Sequence, residues 1–162
     1  MNVFISGSIG ITKLPKRAIE KIENIIKKDY KILIGDAPGV DLYVQKYLFK
    51  KEYKNVVVYY AGNKLRNNVG SWETKNIVNH VEKGKKLYTL KDIEMANYAD
   101  YGLMIWDGKS KGTMNNISIM KSQNKKFFVI IGEMIVDEKN IESILKIHNI
   151  QDNNINVQTE LF

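Results

Sequence analysis

Five short, near-continuous apolar runs punctuate the chain: Val3–Ser6, Ile32–Ile34, Val56–Tyr60, Gly102–Trp106 and Phe127–Ile131. Runs of this length without alternation predict strands covered on both faces. Between them the apolar positions switch to helical spacing. Ala18, Ile22, Ile25 and Ile26 recur behind Pro15, which suits a first helical turn. Val40, Tyr43, Val44, Tyr47 and Leu48 form a second stripe. Ile93 and Ala96 mark a short helix over Lys91–Ala99, and Met114, Ile117 and Met120 mark another starting near Thr113. Ile141, Ile144 and Leu145 predict a terminal amphipathic helix, Asp137–Ile147. Strands alternating with helices imply parallel pairing and right-handed crossovers. The expectation is an α/β protein with a doubly wound, mainly parallel five-stranded sheet and helices on both faces. Residues 61–90 fit neither period and read as an irregular connection, of a length that is usually functional or mobile. Residues 1–150 read as a single domain, and 151–162 as a C-terminal tail or small edge strand.

In such a sheet, ligands bind at the carboxyl ends of the strands, where the winding direction reverses. Three glycine-bearing strand-to-helix loops are expected there: 7–13, 35–41 and 107–113. In the first, Gly7 and Gly10 permit close approach, and Ser6, Ser8 and Thr12 offer hydroxyls. The second carries Gly35, Asp36, Ala37 and Gly39, with Asp36 facing the cleft and Asp41 at the helix start as a cap. The third presents Asp107, Gly108, Lys111, Gly112 and Thr113, ahead of a helix N-terminus that favours an anion. Lys109 and Lys111 are either phosphate partners or solvated loop charges. The loops contain neither the dinucleotide fingerprint nor the lysine-serine pair of a P-loop.

Composition narrows the chemistry. The 162 residues include no cysteine and two histidines, His80 and His148, so thiolate chemistry is excluded and a histidine metal site is not expected; no metal or cofactor is called for. No apolar run is long enough to span a bilayer, and Met1 leads straight into a strand, so a cytoplasmic protein with no membrane partner is expected. The net charge of +7 comes almost wholly from lysine spread along the helices, which reads as solvated faces. Nucleic acid stays possible as a partner. Arg66 is one of two arginines, and beside Asn67 and Asn68 it suits a bidentate grip on a phosphate or carboxylate, if it is not an incidental surface arginine. Trp72 reads as a packed anchor in preference to a stacking lid, and Tyr59 and Tyr60 as strand-end core.

GDAPGVD at Gly35–Asp41, RNN at Arg66–Asn68, KDIEMANYAD at Lys91–Asp100 and KGT at Lys111–Thr113 together resemble the SLOG superfamily, over about residues 1–131. These Rossmann-like proteins include DprA/Smf, the LOG phosphoribohydrolases and small stand-alone nucleotide-binding domains, and this chain is most similar to the stand-alone branch. The resemblance implies binding of a nucleotide or nucleotide-derived molecule in the switch-point cleft, with pairing of copies through their helices as a common property. LOG-type enzymes carry a glutamate pair after the GT; here Asn115 and Asn116 follow Met114, and Trp106–Asp107 stands where those enzymes have a proline and a glycine. Asparagine can bond a ribose but cannot act as nucleophile or base. The deoxyribosyltransferases are similar in the first strand and share an aspartate that Asp92 matches. Asp92 and Asp107 are therefore the candidate catalytic residues of an alternative, an N-glycosidic enzyme, and DprA-like single-stranded DNA binding is a further one.

Overall fold

The computed structural model describes residues 1–78 and 83–147. All five apolar runs become parallel strands of one sheet: β1 (Asn2–Gly7), β2 (Lys31–Gly35), β3 (Val56–Ala61), β5 (Tyr101–Ile105) and β6 (Lys126–Ile131). Two further strands complete it, β4 (Glu73–Ile77) and β7 (Met134–Asp137), in the order β4-β3-β2-β1-β5-β6-β7. The sheet thus has seven strands where the hydrophobic pattern predicts five. Both additions are edge strands, and that is why the pattern misses them. β4 is exposed at Glu73, Thr74 and Asn76, and main-chain pairing with β3 holds it, register Val58↔Thr74. β7 folds back antiparallel on β6 through a tight turn, with Ile131 opposite Met134. Segment 61–90 is correspondingly not irregular throughout.

Four helices join the strands: α1 (Lys16–Lys27), α2 (Val40–Lys50), α3 (Lys85–Tyr98) and α4 (Lys111–Ser122). Alternation along each strand divides the core. Val3, Ile5, Ile32, Ile34, Val56 and Val58 pack under Ala18 and Ile22 of α1 and Val40, Val44 and Leu48 of α2. Phe4, Leu33, Val57, Phe127 and Val129 point the other way, against Met95 and Ala96 of α3 and Ile117 and Met120 of α4. Residues 141–147 are helical, beginning later than Asp137 because that residue closes β7, and Ile141 caps the second core. The expected tail 151–162, His80 and His148 lie outside the described residues.

α3 starts two turns before the expected Lys91. Its first turns, KKLYTL, bury no residue and show no clear stripe, and Gly84 forms the N-cap. Its buried positions are Lys91, Met95 and Ala96, while Ile93 is only half-buried. In α4 the buried set is Thr113, Asn116, Ile117 and Met120, and Met114 lies off it. Each helix therefore places a polar side chain, Lys91 or Asn116, on its inward face. Trp72 is the anchor expected, buried with its indole N–H donating to the Tyr53 carbonyl at 2.9 Å.

Candidate functional site

β1 lies between β2 and β5 and pairs in parallel with both. The chain winds outward from it in both directions, so the loops after β1, β2 and β5 splay apart at their carboxyl ends. They enclose a cleft of about 590 Å³, with the first turns of α3 as its remaining wall. Two other hollows lie along α1, one larger at about 780 Å³ and one smaller at about 400 Å³. Buried polar groups separate them from the cleft. Among the described residues Ser6, Asp41, Lys91, Thr113 and Asn116 are buried and line the cleft, and none of the buried polar residues lines either hollow on α1.

One wall is a charged cluster. The Asp36 carboxylate, fully buried, accepts the Arg66 backbone N–H at 2.9 Å and its guanidinium at 2.7 Å, and Lys91 Nζ lies 3.8 Å away. Lys91 also faces Asp92 at 3.8 Å. Burial works against the Arg66 charge, but the Asp36 carboxylate outweighs it and raises the guanidinium pKa. Gln45, wholly buried on α2, steadies the loop: its amide N–H groups bond the Gly35 and Asn67 carbonyls, and its oxygen accepts the Val69 N–H. Asn67 turns inward to donate to the Asp36 carbonyl at 2.8 Å.

Asp41 sits in the first turn of α2, after the N-cap Gly39, and reaches back to the Ala37 N–H at 3.2 Å. Burial pushes its carboxyl up to about 7, although Lys91 pulls the other way. Asp92 is raised as well, by burial first, against the pull of Lys91 and of the Asn116 amide. An acid whose folded pKa is raised holds its proton longer than the unfolded chain does. Its contribution therefore falls as pH rises from about 4 to about 7 and is level above. Asp41→Asn should abolish that part of the slope, so that the variant gains stability relative to the parent on going from about pH 5 to about pH 8. Urea unfolding at both pH values checks this; an unchanged difference would rule the assignment out.

The opposite wall is built from hydroxyls. Ser8 Oγ lies 2.7 Å from Ser110 Oγ and 3.3 Å from Thr113 Oγ1, and it accepts the Asp107 N–H at 3.0 Å. The Asp107 carboxylate accepts the N–H groups of Lys109 and Ser110, each at 2.8 Å. Burial raises its pKa, but these backbone donors and Ser8 outweigh that and bring it below the usual carboxylate range. α4 begins at this wall, and the N–H groups of its first turn have no partner within the helix. On the floor, Asn116 Nδ2 donates to Ser6 Oγ at 2.7 Å, while its carbonyl oxygen has no partner at all.

Of the residues the sequence singles out, the fold brings Ser6, Gly7, Ala37, Arg66, Asp92, Lys111, Gly112 and Thr113 to the cleft lining. Ser8, Gly35, Asp36, Gly39, Asn67, Asp107 and Gly108 are not in its lining, and Ser8, Asp36, Asn67 and Asp107 hold the loops by their hydrogen bonds. Ile9, Asp41, Lys85, Tyr88, Lys91, Ser110, Asn115 and Asn116 line it without having been singled out as ligand contacts. Lys91 and Asn116 had a signal: each is a polar side chain in phase with its helix's apolar stripe, the position of a group buried for a reason. Ile9 and Tyr88 carried none.

Among the described residues no cluster of three or more His, Cys, Asp or Glu is placed to hold a metal ion. No helix among them is long and apolar enough to cross a membrane. No family model and no curated protein matches the chain. Among solved structures it is similar to DNA processing protein A from Helicobacter pylori, described for its single-stranded DNA binding mode. The TM-score is 0.60 at 15% identity, covering 95% of this chain and 81% of that one. The chain thus has a Rossmann-like α/β fold similar to that of DNA processing protein A.

Proposed function

We propose that the protein binds a nucleotide or nucleotide-derived small molecule in the cleft at the carboxyl ends of β1, β2 and β5. The observation that carries this reading is the Asn116 carbonyl oxygen. Among the described residues it is the one buried side-chain polar atom without a hydrogen-bond partner. A buried acceptor left unmade costs about 1–3 kcal/mol, which a ligand donor seated on the floor relieves. Its neighbours suit the parts of a nucleotide. Ser6 and Asp92 can engage sugar hydroxyls, and the first turn of α4 with Lys111 favours a phosphate. Asn115 and Asn116 follow the GT where the LOG-type pattern has a glutamate pair, which supports binding over cleavage. Asp92, a cleft-lining acid with a raised pKa, is suited to protonate a departing base, as is Asp41 beside it in the lining.

The test is a thermal shift of the full chain with nucleoside monophosphates. The expected result is a rise in Tm with at least one nucleotide, lost in Gly112→Val, since a Cβ at Gly112 meets nothing within 4 Å and the variant keeps its fold. A folded protein stabilised by no nucleotide would reject the reading. Chromatography of the same samples checks turnover: free base that vanishes in Asp92→Asn would establish the glycosidic alternative. The second reading, single-stranded DNA binding, is favoured by the likeness to DNA processing protein A and by the charge of +7. It predicts affinity for an oligothymidylate that falls steeply with salt.

A further inference from the structure

We propose that Ile9 and Tyr88 are the jaws of a stacking clamp, so that the cleft selects a purine nucleotide by the face of its base, without reading the base edge. The inference rests on the nucleotide reading above and deepens it. Ile9 is 62% exposed and Tyr88 39% exposed, and both line the cleft. Single apolar residues at a surface need no explanation, but two lining one polar cleft do. They arrive on the β1–α1 connection and on α3, elements whose helices pack on opposite faces of the sheet.

Neither side chain is placed by its local structure. Ile9 occupies a turn, where a β-branched residue has no advantage. Its backbone is nonetheless fixed: the Ser8 carbonyl accepts the N–H groups of Ile11 and Val40, and the Gly39 backbone packs directly on the Ile9 carbonyl. Tyr88 is backed by the Arg66 guanidinium, 4.5 Å from its ring centre, and Arg66 is pinned by Asp36. The Ile9 backbone and the Tyr88 ring are therefore held in place while both apolar surfaces stay wet, which is costly for folding and useful for stacking a planar ring. The polar groups next to Tyr88 along the first turns of α3 favour phosphate over base edges. The Thr89 hydroxyl already donates to the Lys85 carbonyl, and Lys85 and Lys111 are mobile ammonium groups suited to phosphate. Between two apolar jaws the base is held by its face, stacking area decides, and purines exceed pyrimidines in area.

Isothermal titration of the full chain with adenosine, guanosine and cytidine 5′-monophosphate and with ribose 5-phosphate tests this. The two purine nucleotides should bind within about threefold of each other, and ribose 5-phosphate at least about tenfold more weakly. Ile9→Ser and Tyr88→Ala should each weaken purine nucleotides about tenfold and leave ribose 5-phosphate unchanged, while Tyr88→Phe binds as the parent. Two results overturn the clamp while leaving a nucleotide site standing. One is nucleotide affinity untouched in Ile9→Ser and Tyr88→Ala; the other is one base preferred over all others about a hundredfold, the mark of edge readout. If no compound binds the parent protein, the nucleotide reading itself falls, and the clamp with it.

Discussion

Asp36→Ala should lower the unfolding free energy by about 3–5 kcal/mol, a fall in Tm on the order of 10 °C. The carboxylate is fully buried and serves as the acceptor for the Arg66 backbone and guanidinium, with Lys91 close by. Removing it leaves Lys91, itself 4% exposed, with less compensation for its charge, and strips Arg66 of the acceptor for its backbone N–H and guanidinium, while the Asn67 bond to the Asp36 main-chain carbonyl remains. The loss belongs to the broken pair and not to its formation, because two charges taken from water recover little net energy even when well matched. Asp36→Asn keeps the shape and some of the bonds, so its loss should be smaller. Chemical denaturation of both variants measures the difference, and a Tm unchanged in Asp36→Ala would show that the cluster is not structural. The same geometry alters what Arg66→Ala can report: a bidentate grip on a carboxylate is what the sequence suggested for Arg66, and the carboxylate it holds is the chain's own.

Gly39→Ala is the second large effect, at least about 3 kcal/mol. Gly39 has φ +78° and ψ −132°, a conformation that side-chain-bearing residues avoid. A Cβ there would stand 2.3 Å from the Ile9 carbonyl oxygen and 2.5 Å from its Cα. Both neighbours are backbone, so no rotamer relieves the contact, and the β1–α1 loop must move. The variant should therefore lose stability and displace Ile9 from the cleft together. Gly112→Ala is the control, with an open Cβ position at the start of α4, and should change stability by less than about 1 kcal/mol. A Gly39→Ala protein as stable as the parent would refute the packing described.

How the loops assemble was legible in outline because periodicity and glycine placement are local properties. The five apolar runs each became strands, and the loops after β1, β2 and β5 converge at the switch point, because an apolar run covered on both faces has few alternatives to a parallel sheet. β4 escaped notice since an edge strand needs only main-chain partners; Glu73, Thr74 and Asn76 bear no mark of the β3 strand beside them. Asp107 shows a similar limit. As a residue type it suits acid–base chemistry, and only the fold reveals that one of its carboxylate oxygens accepts the N–H groups of Lys109 and Ser110.

By itself the sequence determined the class of fold, the winding of the chain and the three loops that meet. These follow from hydrophobic spacing along a single stretch of chain. The tertiary structure alone decided which polar groups remain free to meet a ligand. Asp36 and Arg66 satisfy one another across thirty residues, whereas Asn116 is buried with its carbonyl unmatched. Hydrogen-bond satisfaction depends on what lies opposite in space, and that is not a property of neighbours along a chain.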